Sequence, residues 1–326
     1  MDKKQLFENR IDISNLNRLS QQIRDEIHKI IVGQDEMIAL LIAAVLADGH
    51  VLIEGVPGVA KTLAAKLLAK TISAGFSRIQ FTPDLMPSDV LGTNVFNMNT
   101  SRFEFNRGPI FSNIILIDEI NRAPAKTQSA LFEVMEERQV TVDGKCYPMA
   151  PPFLVLATQN PIEQEGTYRL PEAQLDRFLF KINVPYPDLD QEKQILSEFH
   201  QRKSINDPGV ISAVLSTAQL KNLRAKVNEL HIDQHLIDYI AHLIQQTRSH
   251  QALYLGASPR ASLALMTSAK AMAALRGRDF VTPEDIQDVC YPVLQHRLLL
   301  APEKEMEGIG TAAVIKQILE QVEIPR

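Results

Sequence analysis

A chain of 326 residues can bury one large core or two moderate ones, so one or two domains bound its organisation. With 45% apolar and 22% charged residues it has the composition of a globular protein. A net charge of -5 argues against a dedicated nucleic-acid binder, although a ring of subunits can still line its pore with positive charge.

Cys146 and Cys290 are the two cysteines, with nothing around them to suggest a disulfide framework or metal site, so a reducing, cytoplasmic setting is expected. The opening MDKKQLFENR is charged, but no apolar run follows it as in a signal peptide. Leu16, Leu19, Ile23, Ile27 and Ile30 recur every three or four positions and predict a helix over 17–29. Val32, Gly33 and Gln34 break that pattern before a second helix over 35–47. Its apolar run of 11 residues is too short for a membrane span, which needs about 20. It reads as a buried helix, and no membrane insertion is expected.

HVLIEG at 50–55 is a short, β-branched run that predicts a strand, and it leads through GVPGVAKT into the helix former AAKLLAK. Further strands are predicted over 78–82, 113–119, 153–160 and 178–184, with a helix over 126–137. Apolar strands alternating with helices make an α/β core around a mostly parallel five-stranded sheet. Residues 95–109 and 138–149 alternate like hairpins projecting from that sheet, and Asp143-Gly144 is a strong turn signal. Extra edge strands or ordered loops are the alternative.

Past residue 184 strand signals mostly fade, and helices are predicted over 191–201, 216–228, 234–249, 259–275 and 283–296. Thr282-Pro283-Glu284-Asp285 is a helix start, with a hydroxyl cap, proline in first position and acids in the first turn. The chain is therefore expected to divide into an α/β nucleotide-binding domain with N-terminal helices, 1–186, and a helical domain with a C-terminal tail, 187–326.

GVPGVAKT occupies 55–62 and has the form of a phosphate-binding loop between strand and helix, with Ala60 where the glycine before the lysine would fall. Gly55 and Gly58 allow the tight turn, and Val56, Pro57, Val59 and Ala60 complete the loop. Lys61 would reach the β- and γ-phosphates of ATP, Thr62 would offer its hydroxyl to Mg²⁺, and Leu63 continues the helix whose positive end faces the anion. IILIDEIN ends a buried strand in Asp118, suited to Mg²⁺ through water, and Glu119, suited to act as general base. Alternating side-chain directions along the strand would give the two acids different jobs. Asn160 ends FLVLATQN, where a neutral amide can orient water against the γ-phosphate; Thr158 and Gln159 compete for that role.

The chain resembles the MoxR family of AAA+ ATPases over nearly its full length. IVGQDE at 31–36, GVPGVAKT at 55–62, IDEINRAPAKTQSALFEVMEERQVT at 117–141, ATQNPIEQEGTYRLPEAQLDRF at 157–178 and GASPRA at 256–261 carry the likeness. Alanine before the loop lysine is usual in that family. The resemblance implies an AAA+ P-loop core with hairpin inserts and a C-terminal helical lid, with Val32, Gly33 and Gln34 near the adenine. It makes Asn160 sensor 1 and Arg177 the arginine finger that enters the neighbour's site, where delocalised positive charge meets the transition state. On the residues alone Arg177 could instead pair with Asp176 or another nearby acid, and Arg122 and Arg169 are competing candidates for the interface arginine. Arg260, at the start of the third helix of the helical domain, becomes sensor 2, reaching the γ-phosphate of its own subunit; on the residues alone, Ser258-Pro259-Arg260 is a weak signal and a capping or solvated arginine is the plainer reading.

The inserts match the helix-2 insert at 95–107 and the pre-sensor-1 hairpin at 139–148. Phe103, Phe105 and Arg107 either touch a polypeptide or pack the insert on its own base. The implied function is Mg-ATP hydrolysis in a hexameric homo-oligomer that remodels or matures a protein client, alongside a separate protein carrying a von Willebrand factor A domain. A nucleic-acid motor and a slow ATP-dependent switch or scaffold are the alternatives; the acidic balance disfavours nucleic acid as a partner.

Overall fold

The computed structural model describes residues 12–161, 167–202 and 208–325. Five strands, β1 (Val51–Gly55), β2 (Phe76–Gln80), β5 (Ile114–Asp118), β8 (Leu154–Gln159) and β9 (Phe180–Val184), form one sheet in the order β2-β5-β8-β1-β9. Every pairing in it is parallel, so Gly55, Gln80, Asp118, Gln159 and Val184 all end at one edge. Successive side chains alternate between two cores. Val51, Ile53, Leu116 and Leu156 face the larger one, with α1 (Ser14–His28), α2 (Asp35–Leu46) and α3 (Lys61–Thr71). Leu52, Ile115, Ile117 and Val155 face the other, with α5 (Ala125–Glu137). Burial on both faces is why the inner strands β1, β5 and β8 are mostly apolar, whereas β2 at the sheet edge carries Ser77, Arg78 and Gln80.

The short helix α4 (Pro87–Leu91) leads into the first hairpin, β3 (Gly92–Asn97) with β4 (Arg102–Arg107). That hairpin begins three residues before the alternation suggested, because Gly92 is at φ +102° and a Cβ there would lie 2.3 Å from the Asn106 carbonyl oxygen. The second hairpin pairs β6 (Gln139–Val142) with β7 (Lys145–Pro148), and Asp143 and Gly144 both take the positive φ that its two-residue turn demands.

Beyond α6 (Glu172–Leu175) and β9 the chain is mostly helical: α7 (Leu189–Arg202), α8 (Thr217–Glu229), α9 (Gln234–Ser249), α10 (Pro259–Leu275) and α11 (Pro283–Leu294). Strands are not wholly absent there, since β10 (Leu253–Leu255) pairs antiparallel with β11 (Leu299–Leu300). The tail adds α12 (Pro302–Met306) and α13 (Thr311–Gln321), the latter burying Val314, Ile315 and Ile318. Cys146 is exposed in β7, Cys290 is buried in α11, and neither is in a disulfide. Among the described residues no helix is long and apolar enough to cross a membrane.

Two buried polar groups tie the layers together. His50 Nδ1 accepts from the Val155 N–H at 2.9 Å, which leaves Nε2 to donate to the Met135 carbonyl at 3.2 Å. The ring is therefore neutral, and burial followed by the nearby Arg138 charge pushes its pKa down to about 3. The unfolded chain takes up this proton first, so the contribution is complete above pH 6.5 and is lost as pH falls towards 3, about 5 kcal/mol in all. Denaturant unfolding across that range should show the loss, with a shallower slope in His50→Gln; equal slopes would assign the acid sensitivity elsewhere. Arg297 is the second tie: its guanidinium is buried and holds Asp176 Oδ1 at 2.7 Å and the Phe178 carbonyl at 2.5 Å, fastening the helical region to the segment that enters β9.

Candidate active site

The loop between β1 and α3 is shaped for an anion. Ala60, the N-cap of α3, sits in the left-handed region at φ 61° and makes no side-chain cap, so the first N–H groups of the helix have no side-chain acceptor there. Gly58, at φ +91°, is exposed, with open space where a side chain would project. Gly55 is needed for close approach, because a Cβ would stand 2.8 Å from the Val184 carbonyl oxygen. Val59 is buried in the core, Val56 and Leu63 pack against it, and Pro57 is exposed. Left-handed alanine is strained, so Ala60→Gly should add up to about 1 kcal/mol of stability, seen as a higher denaturant midpoint. A loss of stability would contradict that reading of the loop.

Lys61 Nζ donates to the Gly55 carbonyl. Burial lowers the Lys61 pKa, opposed by the charges of Asp118, Glu119 and Glu54, so the ammonium lies in the field of both candidate acids. Thr62 follows on the first turn of α3, half-buried. The donor set, a hydroxyl and a carboxylate beside an uncapped helix start, fits a hard cation that keeps most of its waters and phosphate ligands.

Strand alternation does not separate the two acids. The strand ends at Asp118, and Glu119 turns the chain at φ 57°, ψ 54°. Asp118 is buried, with Oδ1 accepting from the Thr158 hydroxyl at 3.2 Å and Oδ2 from Arg78 Nε at 2.5 Å. Glu119 Oε2 accepts from Gln80 Nε2 at 2.9 Å and pairs with Arg122 Nε at 3.0 Å, while its own N–H donates to the Thr158 hydroxyl at 3.0 Å. Thr158 thus positions both acids. Asn160 lies one residue past β8, half-buried, between the ends of the neighbouring strands β1 and β5. Arg78 and Gln80 escape sequence reasoning, since their partners come from another strand.

Val32, Gly33 and Gln34 lie at the same sheet edge: Gln34 Nε2 donates to the Pro185 carbonyl at 3.3 Å, and a Cβ on Gly33 would meet the Gln191 side chain at 2.7 Å. A cavity of about 480 Å³ opens beside them, with Glu36, Gly55, Val56, Val184, Tyr186 and Tyr291 among its lining. Its size suits a small molecule.

The arginines are elsewhere. Arg177 precedes β9 and donates to the Phe132 carbonyl, with Nε 3.8 Å from Glu136 Oε2. Arg260 Nη2 donates to the other oxygen of Glu136 at 2.7 Å, so one carboxylate at the end of α5 gathers both. They line a cleft with Ala47, His50 and Leu179, residues at the start of β1 and β9. A five-residue strand spans about 17 Å, so that cleft and Lys61 lie at opposite sheet edges. Within this subunit Arg260 is thus held away from Lys61: Asp176 takes the Ser258 hydroxyl at 2.9 Å and Arg297 as well, docking the start of α10 beside Arg177. Counting from β9, α10 is also the fourth helix, not the third. Arg122 stays with Glu119, and the Arg169 side chain is 84% exposed.

In the hairpins, Phe105 stacks on Tyr147 with centroids 4.3 Å apart, and Arg107 lies over the Phe111 ring at 5.1 Å. Phe105 thus packs one hairpin on the other, while Arg107 packs the insert on the segment that follows it. Phe103, by contrast, is 72% exposed and touches Phe96 edge-on at the surface.

A phosphate loop, an acidic strand end and a parallel 5-stranded sheet with a helical C-terminal region define an AAA+ P-loop ATPase. Residues 50–180 match the ATPase family associated with various cellular activities, and residues 245–318 match the AAA lid domain. The chain is 47% identical to the YeaC protein of Bacillus subtilis, covering 95% of this chain and 96% of that one. It is 45% identical to "Chaperone MoxR1" of Mycobacterium tuberculosis, covering 92% and 81%, and 30% identical to "Protein MoxR" of Paracoccus denitrificans, covering 90% and 93%. The crystal structure of a candidate ATPase from Cytophaga hutchinsonii superposes with a TM-score of 0.89 at 44% identity over 97% of each chain. The chain belongs to the MoxR family of AAA+ ATPases. Membership implies the use of ATP and Mg²⁺, and AAA+ ATPases commonly assemble and act on protein partners.

Proposed function

We propose that this ATPase works as a homo-oligomeric ring, with six subunits in the family arrangement, that couples hydrolysis to remodelling or maturing a protein client. The observation that carries the reading is the separation of Arg177 and Arg260 from Lys61 within one subunit. A site whose phosphate loop and arginines face opposite ways is completed by a neighbour, and closure of that arrangement gives a ring. Lys61 neutralises the β- and γ-phosphates, Thr62 and Asp118 hold Mg²⁺, Asn160 orients the water and Glu119 takes its proton. Bound Mg²⁺ supplies charge neutralisation of the phosphates. Val32, Gly33 and Gln34 border the adenine. Both arginines serve the neighbour's γ-phosphate, and Glu136 is the partner they leave when it arrives.

The domain division is read at 186/187 and the setting as the cytoplasm. The client role is supported by the mycobacterial relative being a chaperone by name, and a von Willebrand factor A partner by the family resemblance. Lys61→Ala should abolish tight ATP binding, measured with a fluorescent nucleotide; unchanged binding would overturn the site. For the client, Glu119→Gln loaded with ATP serves as bait in cell extract. Proteins retained with ATP and lost with ADP would support remodelling, and equal recovery with both would count against it.

A further inference from the structure

Arg78 stands outside every role assigned above, yet it makes the shortest polar contact to the carboxylate read as the magnesium ligand. From β2 its Nε donates to Asp118 Oδ2 at 2.5 Å, while the Thr158 hydroxyl occupies Oδ1 at 3.2 Å. Both oxygens of Asp118 are therefore engaged, one by a neutral donor and one by a cation. The Asp118 side chain is only 10% exposed, whereas that of Arg78 is 55% exposed. A buried carboxylate without a counter-charge is costly, so something must fill this place before any metal does. A half-exposed arginine is suited to that and can swing back into water. Arg297 differs in both respects: its side chain is 3% exposed and is held by several acceptors.

A hydrated Mg²⁺ reaching Asp118 needs the lone pairs that Arg78 now holds. Lys61 already lies in the field of Asp118 and Glu119, and Arg122 pairs with Glu119, so three cations surround two acids before nucleotide enters. Bare Mg²⁺ meets a site already compensated, while Mg-ATP brings the phosphate charge that releases these cations from the acids.

We infer that Arg78 is a positioning residue that holds Asp118 in place of the metal and sets how much Mg²⁺ the site requires. The inference rests on the reading of Asp118 as a magnesium ligand, so the test carries a control for that reading. Binding of a fluorescent ATP analogue is titrated with Mg²⁺ in the wild-type protein and in Arg78→Gln, Arg78→Lys and Asp118→Asn. In Arg78→Gln the half-saturating Mg²⁺ concentration should fall about tenfold, the loss of one charged hydrogen-bond competitor. Arg78→Lys, which keeps the charge, should stay nearer wild type. An unchanged or higher requirement in Arg78→Gln, with a shifted one in Asp118→Asn, overturns the inference and leaves the site intact. No shift in Asp118→Asn removes the magnesium reading itself, and the inference with it.

Discussion

Glu119→Gln should lower ATP turnover by about 10²–10⁴-fold while leaving nucleotide affinity near wild type. The change removes the proton acceptor and the charge that pairs with Arg122, but keeps the shape of the side chain. Gln80 Nε2 can still donate to the carbonyl oxygen of the new amide, and the backbone N–H on Thr158 is untouched. The left-handed turn at residue 119 remains. Lys61, Thr62 and the uncapped start of α3, which meet the phosphates, are not altered. Phosphate release and fluorescent-nucleotide binding, measured together, separate the two effects. Wild-type turnover would remove Glu119 as the base, and loss of binding would make it structural.

Arg177→Ala should cost about 10³–10⁵-fold in turnover with each subunit still binding ATP, the scale of an arginine finger supplied in trans. Arg260→Ala should fall in the same direction, because Glu136 holds both guanidinium groups at one edge of the subunit. A lid arginine reaching its own nucleotide would behave otherwise: Arg260→Ala would weaken ATP binding in subunits that cannot assemble. Measuring affinity in dilute, unassembled protein makes that distinction. The two substitutions together should cost less than the sum of their separate effects, since both act on one transition state.

Much of this was legible in the sequence because the decisive signals are local. Strands β1, β5 and β8 are mostly apolar runs buried on both faces, and they end in Gly55, Asp118 and Gln159 at the ligand edge. The helices Gln234–Ser249 and Pro259–Leu275 match their predicted limits because Asp233 caps one and Pro259 opens the other. Lys61, Asp118 and Glu119 come together because a parallel sheet brings the ends of β1 and β5 to one edge. The tail helix Thr311–Gln321 had its signal too, in the spacing of Val314, Ile315 and Ile318.

The rest depends on contacts between distant segments. Arg78 and Gln80 look like solvated residues on an edge strand until register sets them beside Leu116 and Asp118. The choice among Thr158, Gln159 and Asn160 turns on which face each side chain takes at the strand end, and Thr158 proves to be the one bonded to both acids. The placement of Arg260 on Glu136 depends on helix docking, which leaves no periodic trace in the sequence. Arg297 on Asp176, and Asn183 bonded to Tyr291 and Gln295, fix where the helical region sits. Each joins residues more than a hundred positions apart.

The direct test of a shared intersubunit site is to mix Arg177→Ala subunits with Lys61→Ala subunits and measure ATPase activity under conditions where co-assembly is demonstrated. Each pure population lacks one half of every site. In mixed assemblies an intact Lys61 meets an intact Arg177 across some interfaces, so turnover should rise above that of either pure population. Co-assembly with no rise in turnover would contradict the shared site and return Arg177 to a structural role within its own subunit.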